Sequence, residues 1–567
     1  MGLSTKQQEI VDASGKVVVK ACPGSGKTYS VAARLADKLK KEKFYHKGIA
    51  AISFTNTAWQ EIEHKLIDFN ISTPLPYPHF VGTLDSFFNH FVFLPYAHLI
   101  LNTSSRPNLV GEPHYPWGGR YYLDSFFDKI TIDIKGVFFD KKGSKIPHRI
   151  KSGNKNVYTV KQNLLNKGLC TQSDANYYTL QILKKYPLIA ENIINRFPIF
   201  IIDEAQDTND IQMGIINQLV ENGLKEVMLV GDPNQAIFEW NNANPQLFKD
   251  KYDEWSKIKL DENRRSSKNI CDCSNAFIGE SISIPLEGGE VIDFSHVPEI
   301  VDVDYDTQNI KEDIIQPFLN LCKENNIEIT NEKVAVLYRS KKNQKYFEDE
   351  KIDYMNLPWK AGAFYLRDIV QGKYLMEQGD LKQGFKLIEQ GFFKVRNNIA
   401  HVKREQIQNT IDEKGFVKYR TELFEFIDRL PCCDNTLRKW LSEVNSLFIK
   451  YHIAVDVVKS KCNVFISQLF DLNKTSTLPY YHGTIHSAKG CTFDAVLLLL
   501  SKNVGSSNCS TLLTKDYTRL SVGQKEEVRN IYVAITRPRR ILQIGVPEKD
   551  IPLWKKKLQI KEMALAD

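Results

Sequence analysis

The stretch "KVVVKACPGSGKTYSVAARLADKL", residues 16 to 39, constrains the fold more than any other part of this chain. A β-branched run, Val17 to Val19, predicts a strand, a turn of small residues follows, and an amphipathic helix is expected from about Thr28. The turn Ala21-Cys22-Pro23-Gly24-Ser25-Gly26-Lys27-Thr28 is a Walker A element in which Ala21 replaces the first glycine. Gly24 and Gly26 can turn backbone N–H groups inward around phosphate oxygens, and the helix N-terminus adds its partial positive charge. Lys27 is placed to reach the β- and γ-phosphates of ATP, and Thr28 to ligate Mg2+. A GKT can arise by chance in an unrelated loop, but strand and helix flank this one in the required order.

A second element, "RFPIFIIDEAQDTNDIQ", supplies the complementary half of a phosphate-hydrolysing site. Pro198 to Ile202 reads as a short apolar strand with Asp203 and Glu204 at its C-terminal end, where open α/β sheets place their chemistry. Asp203 is the candidate metal ligand, and Glu204 the candidate base for the attacking water. A solvated strand end is the common alternative for such a pair.

With 567 residues the chain exceeds what one core usually organises, so two large domains are expected. Its 42% hydrophobic and 25% charged residues are those of an ordinary globular protein. The net charge of +7 is a weak lean towards a polyanionic partner. The ten cysteines form no pair of CxxC knuckles, which argues against structural zinc and for reduced thiols. No secretory signal and no membrane-length apolar run is found, so a cytoplasmic protein without a membrane partner is expected.

Together with the Walker A loop, "IIDEAQDT" resembles the UvrD/Rep family of superfamily 1 DNA helicases, and further stretches match that family in order along nearly the whole chain. "LSTKQQEIV" is similar to its Q motif, which implies that Gln7 reads the adenine edge through a two-point amide contact. "AISFTNTAWQEI" resembles motif Ia, with Phe54, Thr55 and Asn56 at positions that contact single-stranded DNA. "VGTLDSF" resembles motif Ib around Thr83, with Asp85 where many members carry His. In "VGDPNQAIFEWNNANP" the resemblance gives Gln235 to the γ-phosphate and Trp240 to a base, and Phe238 is a further stacking candidate as an aromatic residue. "LDENRRSS" places Arg265 beside the γ-phosphate. "VAVLYRS" is similar to the strand that opens the second motor domain, "TIHSAKGCTFDAV" to motif V with His486 towards DNA, and "NIYVAITRPRR" to motif VI with Arg537 as the second phosphate-contacting arginine.

These residue types suit the chemistry on physical grounds. An always-charged, fork-shaped guanidinium stabilises charge building on a γ-phosphate, although either arginine alone would more commonly be a surface ion pair. Because Arg537 stands more than 500 residues after Lys27, a shared site requires two lobes closing over one nucleotide. Aromatic faces accept any base, so stacking plus phosphate contact is the expected mode of DNA binding, whereas for Trp59 a core position is favoured.

The resemblance therefore implies an α/β protein of two RecA-like P-loop motor domains, parallel sheets with flanking helices, carrying two mainly helical inserted subdomains. The boundaries are 1–90 with 190–275 for the first motor domain (1A), 91–189 for its insertion (1B), 276–370 with 476–567 for the second (2A), and 371–475 for a reduced insertion (2B). "TELFEFIDRL" and "LRKWLSEVNSLFIKY" have helical apolar spacing within the latter. Compact chains of this kind resemble the helicase-like subunit of Gabija-type antiphage systems, which works beside an OLD-family nuclease; a repair helicase remains the alternative. Three departures from the family stand out. Thr492 replaces the motif V glutamate that meets the ribose, Arg264 replaces the motif IV tyrosine, and Asn241-Asn242 replace the Arg-Gly that commonly follows the motif III tryptophan. The expected activity is ATP hydrolysis driving 3′ to 5′ movement on single-stranded or partly duplex DNA. A nucleotide- or DNA-sensing subunit that regulates a nuclease without processive unwinding is the competing expectation.

Overall fold

A computed structural model describes residues 3–41, 46–101, 103, 106–109, 130–140, 143–147, 157–237, 243–286, 291–305, 307–339, 358–359, 364–397, 402, 404–470, 478–500 and 509–560. Two parallel sheets organise it.

The first sheet contains β1 (Lys16–Ala21), β2 (Ile49–Ser53), β3 (Phe80–Thr83), β4 (Ile199–Ile202), β5 (Glu226–Gly231) and β6 (Ser256–Leu260), in the spatial order β6-β1-β5-β4-β2-β3. Every pairing is parallel, with Val17 opposite Met228 and Ile52 opposite Ile202. Both faces are covered, so the strands read as apolar runs rather than as alternation. Val18, Ile52, Phe200 and Leu229 enter one core and Val17, Val19, Ala51 and Ile201 the other. Of the expected boundaries, β4 begins at Ile199 and the helix after the Walker loop at Lys27, each one residue from the sequence reading.

The second sheet contains β7 (Glu299–Asp302), β8 (Val334–Tyr338), β9 (Tyr481–Thr484), β10 (Phe493–Leu499) and β11 (Pro538–Val546), ordered β7-β11-β10-β8-β9 and again all parallel. The stretch 334–340 therefore does not open this sheet. Strand β7, half-buried at the edge against β11, precedes it and has too little apolar signal to be seen in sequence.

Between β3 and β4 the chain forms a separate apolar core around Phe93, Leu109, Ile132, Phe138 and Cys170, closed by the helix Gln172–Lys185. Among the described residues, four two-residue strands accompany the helices here. Most of the basic and tyrosine-rich sequence between 110 and 156 lies outside the described residues. Between β8 and β9 the helices Phe364–Glu377, Leu381–Asn397, Arg404–Lys414, Phe416–Asp428 and Leu437–Lys450 pack into an all-helical body. Trp440 sits fully buried at its centre, its indole N–H donating to the Pro431 carbonyl at 3.0 Å. No helix among the described residues is long and apolar enough to cross a membrane.

Candidate nucleotide site and lobe interface

The carboxyl ends of four adjacent strands, β6, β1, β5 and β4, bring the candidate residues to one edge of the first sheet. The Walker loop leaves β1 with Gly24 and Gly26 at φ of +74° and +75°, a region costly for any side chain. A Cβ on Gly24 would lie 2.6 Å from Arg265 Cβ and 2.7 Å from Asn263 Oδ1, so the loop and the segment after β6 are pressed together. The Arg264 N–H donates to the Gly24 carbonyl at 2.9 Å. Asn263 Oδ1 accepts the N–H groups of Arg265 and Ser266 at 2.8 and 2.9 Å, and this tight turn aims the Arg265 side chain.

Lys27 lies in the cleft, ion-paired with Glu204 and 3.9 Å from Asp203 Oδ1. Burial opposes its charge, but the two carboxylates outweigh burial and raise its pKa. Asp203 is fully buried; its Oδ1 accepts the Glu204 N–H at 2.9 Å and its Oδ2 has no hydrogen-bond partner among the described residues. Burial holds Asp203 above the usual carboxylate range against the pull of Lys27, whereas Glu204, equally desolvated but flanked by Lys27 and Lys489, is held below it. An orphaned carboxylate oxygen beside the start of the helix carrying Thr28 fits a hard divalent cation held by few protein ligands and completed by phosphate oxygens. Among the described residues no group of three or more His, Cys, Asp or Glu side chains is arranged to hold a metal ion. Glu204 itself has left-handed backbone, φ 56° and ψ 33°, an uncommon conformation for a side-chain-bearing residue.

Gln7 is buried, and its amide is already engaged: Oε1 accepts the Ser4 N–H at 3.1 Å, closing a capping box, and Nε2 donates to the Ser25 carbonyl at 3.3 Å. It touches the Walker loop, and one N–H and one Oε1 lone pair beyond these two bonds are what an adenine edge would meet.

The second lobe contributes from across the cleft. Arg537, at the end of the helix Val522–Ile535, is 2% exposed; it donates to Gln235 Oε1 at 3.0 Å and to the carbonyls of Val533 and Cys491 at 2.9 and 3.3 Å. Arg265 reaches the Thr536 carbonyl at 3.5 Å. Burial and the Arg537 charge beside it push the Arg265 guanidinium down, and burial does the same to Arg537. No carboxylate among the described residues forms an ion pair with either, although the charges of Glu61 on Arg265 and of Glu204 and Asp232 on Arg537 act against the effect of burial. Lys489 makes a buried ion pair with Asp207 at 2.6 Å. Arg529 Nε donates to the Ala236 carbonyl at 2.7 Å, and His486 Nε2, 3.2 Å from the Ile237 carbonyl, donates there as well. The base of the loop after β5 is thus gripped through main-chain carbonyls.

Of the other expected residues, Ala21, Cys22 and Pro23 are buried in the Walker loop, Ser25 Oγ donates to the Cys22 carbonyl at 2.7 Å, and Thr492 is exposed beside the Cys491 carbonyl that Arg537 uses. Phe54 is half-buried against the first core, and Thr55 and Thr83 cap the starts of the helices Asn56–Ile67 and Leu84–Phe88 through Oγ1. Asn56 opens the former helix, but its side chain lies outside the described residues, as do Phe238, Trp240, Asn241 and Asn242 entirely. Trp59, read as a core residue, is half-buried. Asp85 has a structural explanation: its Oδ1 accepts amide N–H groups from Asn176 and Gln212, each at 3.0 Å, tying the inserted helix Gln172–Lys185 to the first lobe. Sequence reasoning missed Gln206, Asp207 and Asp232, whose roles arise from pairing in space, although two of them stand inside "DEAQDT".

Residues 3–104 and 141–256 match the family model of the UvrD/REP helicase N-terminal domain. Over 583 aligned residues, covering 98% of this chain and 99% of the relative, the chain is 23% identical to Gabija protein GajB of Bacillus cereus (strain VD045). It is 28% identical over 305 residues to DNA helicase II of Haemophilus influenzae, covering 49% of this chain and 41% of that protein. The PcrA ATP-dependent DNA helicase of Leuconostoc citreum is 26% identical over 304 residues, covering 49% and 39%. The chain thus spans less than half the length of these two helicases.

Proposed function

We propose, from the match of residues 3–104 and 141–256 to the UvrD/REP helicase N-terminal domain, that the protein is an ATP-hydrolysing DNA motor whose two lobes, bounded as the motifs imply, close over one nucleotide. The observation that carries this reading is Arg537 of the second lobe meeting Gln235 of the first within a cleft that also holds Lys27, Asp203 and Glu204. Lys27 and the Walker loop N–H groups bind the phosphates, and Asp203 and Thr28 would hold Mg2+, which would supply neutralisation of phosphate charge. Glu204, held ionised and released from Lys27 as phosphate takes that lysine, orients and deprotonates the attacking water. Arg265 and Arg537 converge on the charge that grows at the γ-phosphate, which relieves their mutual repulsion. Movement is 3′ to 5′ along single-stranded DNA, in keeping with the family, in a cytoplasmic setting. The test is ATP turnover with and without single-stranded DNA, joined to streptavidin displacement from 3′- and 5′-biotinylated strands. Stimulated turnover with displacement from the 5′ end supports the proposal, and absence of DNA-stimulated hydrolysis overturns it.

A second reading is supported by end-to-end similarity to Gabija protein GajB: a nucleotide- and DNA-sensing subunit in antiviral defence that controls an OLD-family nuclease. Strand displacement by the isolated protein favours the motor alone; hydrolysis that appears only with the nuclease bound favours the sensor.

A further inference from the structure

A chain of buried polar groups runs from Glu204 to the far lobe, and the mechanism above leaves its centre unused. Gln206, fully buried, donates through Nε2 to Glu204 Oε2. Its Oε1 accepts the main-chain N–H of Asp232 at 3.1 Å. Asp232 Oδ2 accepts Gln235 Nε2 at 2.7 Å, and Gln235 Oε1 accepts Arg537 Nη2 at 3.0 Å. Three residues, Gln206, Asp232 and Gln235, therefore connect the water-activating carboxylate to the arginine of the opposite lobe, with the Asp232 main chain as one link. Both ends of each amide are used, so a rotation at one member cannot be absorbed without breaking a bond at the next.

Gly231 shows that the backbone is fitted to this path. It ends β5 immediately before Asp232, and a Cβ there would lie 2.4 Å from Gln206 Oε1 and 3.2 Å from the Gln206 N–H nitrogen. Only a residue without a side chain leaves room for the amide to reach the Asp232 N–H.

We infer that Gln206 is a positioning residue that sets the orientation of the Glu204 carboxylate according to where Arg537 and the loop after β5 hold Gln235. This rests on the proposed ATPase reading and deepens it. Arrival of a γ-phosphate or a base at that loop shifts Gln235 and Asp232, and Gln206 passes the shift to Glu204 as a change of aim. Nucleotide binding itself, which depends on the Walker loop and Lys27, does not require Gln206.

The test compares the full-length protein with Gln206→Met, which keeps the length and loses both hydrogen bonds, and Gln206→Glu, which keeps the acceptor and loses the donor. At saturating single-stranded DNA, kcat is expected to fall about 10- to 100-fold in both variants, the range typical for removing a partner that orients a reacting group, with KM for ATP and Kd for an ssDNA oligonucleotide within about twofold of wild type. Gly231→Ala, which displaces the same amide from outside, should reproduce the split and provides the measurement if the Gln206 variants do not fold. Wild-type kcat in the variants, or KM rising in step with the loss, overturns the inference while leaving the ATPase reading intact; a wild-type protein without DNA-stimulated turnover overturns both.

Discussion

Replacing Lys489 with Met tests whether the lobes are held by charge. Lys489 and Asp207 meet at 2.6 Å with side-chain exposures of 10% and 3%, so water screens them little. At an effective dielectric of 20 their attraction is about 6 kcal/mol before desolvation is subtracted. The quantity measured on deleting one partner is different, because the remaining buried charge is left uncompensated, typically at about 3–5 kcal/mol. Asp207 can escape part of this by taking a proton: burial, opposed by Lys489, already raises its carboxyl to about 6. The lower figure, about 3 kcal/mol or roughly a hundredfold in kcat/KM, is therefore expected at pH 7 for ATP turnover with single-stranded DNA. The sign with pH follows. The folded-state pKa is raised, so the uncompensated charge exists only above that range, and the defect relative to wild type should shrink towards pH 6 and grow towards pH 8. Lys489→Met combined with Asp207→Asn removes both charges and should recover most of the loss. A single variant within twofold of wild type would refute the pairing argument, and a defective single variant that the double fails to rescue would instead assign Lys489 directly to the nucleotide.

Glu204→Gln should lower ATP turnover by about 10²- to 10⁴-fold while nucleotide binding, followed by calorimetry, persists. Gly24→Ala places a methyl group into Arg265 and Asn263 at a positive φ and should cost about 1–3 kcal/mol locally, read as about 5- to 150-fold weaker nucleotide binding. Asp85→Ala leaves the Asn176 and Gln212 amides without their acceptor and should destabilise the junction with the inserted helix by about 1–3 kcal/mol, seen as an earlier melting transition with KM for ATP unchanged. Asn241→Arg should steepen the dependence of log K for single-stranded DNA on log salt by about 0.7, and an unchanged slope would remove that residue from the phosphate path.

Much of the site was legible because phosphate chemistry uses local sequence. A strand, a Gly-rich turn and a helix must be consecutive to cradle phosphate, and an acidic pair must end an apolar strand, so Lys27, Asp203 and Glu204 could be read from neighbours alone. Arg537 was legible only through its motif, since nothing within a few residues shows that it faces Gln235. What escaped was set by partners far along the chain. Gln206 looks like any polar residue after a strand until β5 is placed beside β4, and Asp85 looks like a departure until two helices from elsewhere bring amides to it. Strand β7 was missed because a half-buried edge strand of four residues carries little periodicity.

The main-chain grip on Ala236 and Ile237 has an evolutionary consequence. Arg529 and His486 hold carbonyl oxygens, which every amino acid provides, so drift at these two positions does not dissolve the anchor so long as the backbone keeps its path. The residues just beyond are then free to be retuned for a different strand, lesion or end structure without disturbing the engine behind them.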